Sequence, residues 1–493
     1  MDEHNQEVNY KTEDNEAMIQ CDTRLTDLPL EVIVHCFDYL SLSDKYNALL
    51  SCHFLHEAFN HPLLWRTQEL LILTDFTYYQ SHYHERSDSL PKKTTLLVSK
   101  FGKYFQILTI RVVGDITSMQ AWTPVLLELG TQCRLEKLVL DVGKMTTATD
   151  QLWGPPPMQG LVVFLSFIEN AFRMKSLDIK SWPIFPQTMD MEDRNIFKTI
   201  MRNDKFKDLE HLDLFWPYRS QMWSERTPVL PDCTMLLNLI QHLSSLKELG
   251  LRSNMLSNTL IEELSNSRRS KLNLLKIFVT YAKEDIEFQI PDIRSSSWKR
   301  LTAANPKARI ECHIMPRVPN FELSNLLSPN CPLSKIVFLQ WSRIDSQLIE
   351  SLSSKYRTTL KTLICYCDIN NVDGALIKMA EECSLLDSLV VKTNTMYGIN
   401  RDTVIKLASI RGSEWKTFRF GDMDISYVNK PDNNIPEDEV ITRNEKGEYI
   451  MVGMQNYNVE PVGIKREQNR KVLSEQLCII LGSKFVSRNQ IFI

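Results

Sequence analysis

Apolar residues between positions 25 and 66 recur at helical spacing. One set keeps three-and-four spacing after Pro29: Val32, Ile33, Cys36, Phe37 and Leu40. This pattern predicts an amphipathic helix of about three turns that opens at the proline. Two more short helices are predicted, one capped by Ser41 and Asp44 and one that ends before Pro62. A module of this size cannot enclose all of these apolar side chains. Some apolar surface should therefore remain for a partner.

The rest of the chain repeats the pattern L-x-x-L-x-L. The clearest unit runs from Leu246 to Asn254, and a second runs from Leu386 to Asn394. Weaker copies begin at Phe105, Leu135, Met174, Leu209, Leu272, Leu333, Leu360 and Trp415, and 310–312 is a candidate strand of a degenerate copy. The last four copies are 27, 26 and 29 residues apart, which leaves room for a strand and a short helix in each. Since no unit buries its apolar side alone, the leucines should face inward in a stacked array.

These patterns divide the chain into five segments. Residues 1–24 are polar and predicted to be a disordered tail, and residues 25–66 form the helical module. Residues 67–100, with a polar histidine-rich stretch at 81–88, are predicted to be a linker. Residues 101–428 form the repeat solenoid and 429–493 a C-terminal cap region. The predicted fold class is α/β: a small all-α module followed by a horseshoe-like solenoid of βα units.

Composition narrows the range of partners and compartments. A net charge of -4 and a pI near 6.2 give no sustained positive field, so neither nucleic acid nor a membrane surface is an expected partner. The eleven cysteines lack the spacing of a disulfide framework. The chain starts without the features of a signal peptide, and its longest apolar stretch, 161–168, is too short to span a bilayer. A cytoplasmic or nuclear location is therefore expected.

Candidate catalytic chemistry is weak throughout the sequence. The phosphate-loop, dinucleotide, hydrolase-elbow and HExxH patterns are absent from the sequence. Cys365 and Cys367 form the only close cysteine pair, and a structural zinc site needs a second pair. The prediction is a non-catalytic protein with no metal and no cofactor. An enzyme with a cysteine activated by a nearby base stays open as an alternative.

Residues 25–66 resemble the F-box family. The resemblance is carried by Leu28-Pro29, Glu31, Ile33, Phe37, Leu40, Asp44, Ser51-Cys52 and Leu64-Trp65. It implies docking on the Skp adaptor, and through it on a cullin, by Leu28, Pro29, Ile33, Leu40, Leu49 and Leu50. Lys45 and Leu55 depart from the family pattern. The alternative interpretation is a helical hairpin that only caps the solenoid.

Together with the repeats, the resemblance implies a substrate-recognition subunit of a Skp-cullin-F-box ubiquitin ligase. Strand residues that alternate with the inward leucines should form the target-binding surface: Phe215, Phe278, Leu339, Ile364 and Tyr366, beside Lys137, Asp178 and Asp213. A covering element, or a register error of one residue, would instead bury them. The alternative function is a leucine-rich-repeat scaffold unrelated to ubiquitin transfer.

Overall fold

The computed structural model divides the chain into two compact units, Met1–Thr67 and Gln68–Ile493. The structure describes residues 27–40, 42–73, 89–113, 122–141, 159–181, 196–214, 233–279, 290–315, 318–339, 342–366, 368–369, 371–392, 399–420, 425–426, 442–443, 449–450, 476 and 480. The predicted tail 1–24, the stretch 81–88, Ser41, Phe215, Cys367, Asn394 and most of the predicted cap lie outside these residues.

The first unit contains the three predicted short helices. They are α1 (Leu30–Asp38), α2 (Leu42–Leu49) and α3 (His53–Asn60), followed by a 3-10 helix at Pro62–Trp65. Pro29 is the N-cap of α1 rather than its first helical residue, with φ -55° and ψ 144°. Proline suits this end of a helix because it has no backbone N–H to leave unsatisfied. The predicted helical module is confirmed.

The second unit alternates strands with helices. Its strands are β1 (Thr67–Leu73), β2 (Ile107–Val113), β3 (Lys137–Asp141), β4 (Ser176–Ser181), β5 (His211–Asp213), β6 (Glu248–Arg252), β7 (Leu274–Val279), β8 (Arg309–Ile314), β9 (Leu333–Phe338), β10 (Arg343–Ile344), β11 (Thr362–Cys365), β12 (Asp368–Ile369), β13 (Ser388–Val391), β14 (Ile399–Asn400), β15 (Thr417–Phe420), β16 (Ile425–Ser426), β17 (Thr442–Arg443) and β18 (Tyr449–Ile450). Its helices are α4 (Ser89–Phe101), α5 (Thr123–Gln132), α6 (Gln159–Asn170), α7 (Ile196–Arg202), α8 (Cys233–His242), α9 (Asn258–Leu264), α10 (Ser295–Ala304), α11 (Asn320–Leu326), α12 (Ser346–Tyr356), α13 (Asp373–Glu382) and α14 (Arg401–Arg411).

Twelve of these strands form one sheet in chain order, from β1 through β9 and then β11, β13 and β15. The pairs from β2 to β15 are parallel, which requires a crossover connection between successive strands. Five second-position leucines are in register across β3 to β7: Leu138, Leu177, Leu212, Leu249 and Leu275. This is the predicted βα repeat array.

The predicted inward side of the repeats is confirmed. In all ten copies the three residues of the L-x-x-L-x-L pattern are at most 5% exposed. The degenerate copy at 310–312 is also real, because it lies on β8 between β7 and β9. Stacked leucine rows therefore form one continuous core along the array.

The predicted linker at 67–100 is wrong over its described residues. β1 begins at Thr67 and is the first strand of the large sheet, and α4 begins at Ser89 and packs on α5. The guanidinium of Arg111 on β2 lies 2.9 Å from the carboxylate of Glu69 and 3.4 Å from that of Asp141, which links the first three strands. The sequence hides this unit because β1 opens with the polar residues Thr67, Gln68 and Glu69, so no complete L-x-x-L-x-L copy is present there.

Buried polar side chains connect neighbouring units on the helical side. The side-chain amide of Asn203 donates to the carbonyls of Ile168, Glu169 and Ala171 in the preceding unit. Arg269 donates to the carbonyls of Ile240 and Leu243, and Asn305 donates to that of Leu264. The last carbonyls of a helix lack their usual donors within it, so these side chains supply donors to carbonyls at or just after the helix ends.

Candidate protein-binding surfaces

The helical module has a small core closed by Trp65. Ile33, Val34 and Phe37 point inward from α1 and are at most 4% exposed. The indole N–H of Trp65 donates to the carbonyl of Phe59 at 2.8 Å, and the two rings meet edge to face at 5.1 Å. The Leu-Trp end of the motif is therefore the part that locks the 3-10 helix onto α3.

The opposite side of α1 is apolar and exposed. Val32 is 43% exposed and Tyr39 is 79% exposed, and Cys36 lies between them on the same helical face. Leu40, Leu50 and Leu63 are 37%, 68% and 52% exposed. Among the described residues nine large hydrophobic side chains are exposed, and five of them lie in this short module. We call Val32, Tyr39, Leu40, Leu50 and Leu63 the module apolar surface.

The residues that the sequence proposed for adaptor docking differ in their exposure to solvent. Pro29, Leu40 and Leu50 are exposed, and Leu28 and Leu49 are half-buried. Ile33 is corrected: it is 1% exposed and belongs to the core of the module, because it lies on the same side of α1 as Phe37. The sequence missed Val32, Tyr39 and Leu63. A helical projection places Val32 and Tyr39 away from Ile33 and Phe37, and this signal was available.

Lys45 is a buried lysine inside the module. Its side chain is 9% exposed, and burial lowers its pKa while the negative charge of Asp38 opposes that shift. The position that departs from the F-box pattern is therefore an interior one. Leu55, the other departure, is half-buried on α3.

The second unit presents the sheet side that alternates with the leucines; we call it the exposed sheet face. Asp178 and Asp213 are register neighbours on β4 and β5. Burial raises the pKa of Asp178 to about 6, and the adjacent Asp213 adds to the shift. The ammonium of Lys276 lies 3.4 Å from Asp213, which is itself 7% exposed. This part of the exposed sheet face is polar, and its Lys276 and Asp213 side chains pair with each other.

The aromatic and aliphatic residues predicted for target contact differ in their exposure to solvent. Tyr366 is 37% exposed, and Leu339 and Ile364 are half-buried. Phe278 is corrected: it is 0% exposed, because it lies on β7 between its register neighbours Arg252 and His313. Burial also lowers the pKa of His313 to about 4, together with the charges of Lys335 and Lys276.

A cavity of about 340 Å³ opens at the start of strands β3 to β7, and four of the ionisable side chains that line it form two pairs. The Lys247 ammonium lies 2.8 Å from Glu210, and the His211 ring lies 2.9 Å from Glu248. Both acidic side chains therefore already have a partner within the protein.

Among the cysteines that the structure describes, the buried ones give no sign of an activated nucleophile. Burial raises the pKa of Cys133 to about 12 and that of Cys383 to about 11, so both stay protonated at neutral pH. Cys365 is 2% exposed in the core, whereas Cys36, Cys52 and Cys233 are exposed. In the part of the chain that the structure describes, no cluster of three metal-ligating side chains occurs, and no helix has the length and apolar character of a membrane span.

Comparison with known proteins finds similarities of sequence and of structure. Residues 25–70 match the F-box-like family model. The F-box/LRR-repeat protein 21 of Ovis aries is 22% identical over 73% of this chain and 75% of its own length, and that of Mus musculus is 21% identical over the same shares. A chain in the crystal structure of the yeast Rad7 and Elc1 complex matches with a TM-score of 0.34 and 16% identity, over 69% of this chain and 84% of that one.

A helical module that matches the F-box-like family model, followed by an array of βα repeats, makes this chain similar to F-box proteins with leucine-rich repeats.

Proposed function

We propose that this protein is the substrate-recognition subunit of a Skp-cullin-F-box ubiquitin ligase. The module apolar surface docks on the Skp adaptor, and through it on a cullin, while the repeats hold a target protein. The chain itself performs no chemistry. Its contribution is proximity, since a tethered target meets the ubiquitin donor at a high effective concentration.

The observation that carries this proposal is the concentration of exposed apolar side chains in the module. Tyr39 and Leu50 alone are 79% and 68% exposed, although their neighbours Phe37 and Trp65 are buried. Clustered apolar surface of this kind marks a protein-interaction site in a soluble protein. A helical hairpin that only capped the repeats would have no use for aromatic and leucine side chains turned to solvent.

Co-purification with the Skp adaptor tests the docking step. The full chain is co-expressed with the adaptor as wild type, as Tyr39→Asp and as Leu50→Asp. Each aspartate would place a charge in a desolvated apolar contact, so we expect at least a tenfold loss of retained adaptor. Cullin should be lost in parallel with the adaptor.

Leu127→Asp is the matched control, because Leu127 is a 50% exposed leucine on α5 in the repeat array. It should retain the adaptor like the wild type. A wild-type chain that retains no adaptor, or aspartate variants that keep it, would remove the ligase proposal and leave a leucine-rich-repeat scaffold.

A further inference from the structure

The last strands of the large sheet carry apolar and basic side chains together on the exposed sheet face. We propose that this site binds an acidic segment of a target protein that inserts a large apolar side chain. The site consists of Ile364, Tyr366, Val390, Lys392 and Arg419, and we call it the basic-apolar patch. The inference rests on the proposed function, because it specifies the chemistry of the target that the repeats hold.

The strand register brings these five residues together. Ile364 on β11 is the register neighbour of Val390 on β13, and Val390 is the neighbour of Arg419 on β15. The backbone N–H of Lys392 donates to Cys365, which continues the ladder and places Lys392 beside Tyr366. Neighbouring strands lie about 4.8 Å apart, so three strands span only about 10 Å. One short peptide segment can cover the patch.

The apolar part of the patch is open to a partner. Tyr366 is 37% exposed, and Ile364 and Val390 are half-buried beside it. An aromatic ring that stands among partly buried aliphatic side chains is the arrangement in which interface anchors concentrate. An inserted phenylalanine or leucine side chain would complete the packing around Tyr366.

The charged part of the patch favours a partner segment with negative charge. Lys392 and Arg419 are exposed, and neither side chain has a hydrogen bond or ion pair with another residue that the structure describes. Elsewhere on the same face two lysines are matched: Lys276 lies 3.4 Å from Asp213, and Lys335 lies 3.5 Å from Glu311. Two unmatched cations beside an apolar centre favour carboxylates that flank an apolar side chain.

A peptide array tests this inference with the full chain. Immobilised peptides share a central Phe-Leu pair or a Gly-Gly pair, flanked on both sides by Asp and Glu, by Lys and Arg, or by Ser. The wild type should retain the acidic Phe-Leu peptides at least tenfold more strongly than the basic ones. Raising the salt concentration should reduce that difference, because the contacts are exposed.

Charge reversal identifies the surface responsible. The double variant Lys392→Glu with Arg419→Glu should lose the preference for acidic peptides, and Tyr366→Ala should lose the preference for Phe-Leu over Gly-Gly. The matched control is Lys299→Glu with Lys307→Glu, two exposed lysines in and after α10, and it should behave as wild type. Retention that ignores charge, retention of no peptide, or an acidic preference that survives the double reversal would overturn the inference.

Adaptor co-purification is measured on the same preparations. Failure of the peptide selection while the adaptor is retained would refute the basic-apolar patch alone. Failure of the wild type to retain the adaptor would refute the proposed function instead.

Discussion

The side-chain amide of Asn203 donates to the carbonyl oxygen of Ala171 at 2.8 Å, across the boundary between two repeat units. The same amide reaches Ile168 and Glu169, so one buried side chain satisfies the end of α6. Arg269 performs the corresponding task for the carbonyls at the end of α8 and after it. Cohesion along the array therefore depends on a few polar contacts in addition to the leucine rows.

Asn203→Ala should weaken the array strongly. The substitution removes the donor that the carbonyls of Ile168, Glu169 and Ala171 share, and also the amide oxygen that accepts from the backbone N–H of Lys205, so we expect the free energy of unfolding to fall by about 2–3 kcal/mol. The urea midpoint followed by far-ultraviolet circular dichroism measures this change.

Asn170→Ala is the control for this prediction. Asn170 donates to Ser166 within α6 and is exposed, so its loss should change the unfolding free energy by less than about 0.5 kcal/mol. Equal midpoints for the two variants would show that the contacts between units add nothing to stability.

Trp65 should control the folding of the helical module alone. Trp65→Ala removes a side chain that is 0% exposed, its contact with Phe59 and a buried hydrogen bond, a loss of about 3–5 kcal/mol. Hydrogen exchange should then show loss of amide protection in α1 to α3, with strands β2 to β9 still protected. Trp65→Phe keeps an aromatic ring, so its amide protection in α1 to α3 should lie between that of the alanine variant and that of the wild type. Unchanged protection in the alanine variant would contradict the assigned core.

Asp178 should make stability depend on pH. Its folded-state pKa of about 6 lies above the unfolded value of about 3.9, so the folded protein holds the extra proton between these values. The ionised carboxylate of Asp178 therefore destabilises the folded protein at neutral pH, and this destabilisation is relieved as the pH falls through about 6. We expect Asp178→Asn to raise the unfolding free energy at pH 7 by about 1–2 kcal/mol, allowing for solvent screening, and to give little gain near pH 4.

Thermal unfolding of the wild type and of Asp178→Asn between pH 4 and pH 7 checks the direction of this pH dependence. Asp292→Asn is the control, because Asp292 is exposed and its carboxylate makes no ion pair with the described residues. A gain from Asp178→Asn that is the same at acid and neutral pH would show that Asp178 is not the titrating group.

The sequence predicted the repeat array well because its signal is periodic. Each L-x-x-L-x-L copy specifies three inward side chains, and even the degenerate copy at 310–312 is a strand. The repeat that contains β1 was missed because the polar residues 67–69 leave no complete L-x-x-L-x-L copy there. Periodicity identifies the repeats, and it fails where the apolar positions are replaced.

Surfaces were harder to predict than the core. Ile33 and Val32 are adjacent and both apolar, yet one is 1% and the other 43% exposed. Both residues belong to the same apolar stripe in the sequence, and only a helical projection of α1 that puts Ile33 with Phe37 separates them. Phe278 shows the same limit on a strand, since large neighbours on β6 and β8 cover a position that alternation alone would expose.

Cys36 offers the most direct test of the central claim, that the outer side of α1 is the adaptor-docking surface. Cys36 and Cys233 are both exposed cysteines, and Cys36 lies between Val32 and Tyr39. Alkylation by iodoacetamide is followed at each cysteine by peptide mass spectrometry, with and without saturating Skp adaptor. The account predicts that the adaptor slows alkylation of Cys36 at least tenfold and leaves Cys233 unchanged. Equal alkylation of Cys36 in the free chain and in the adaptor complex would contradict it.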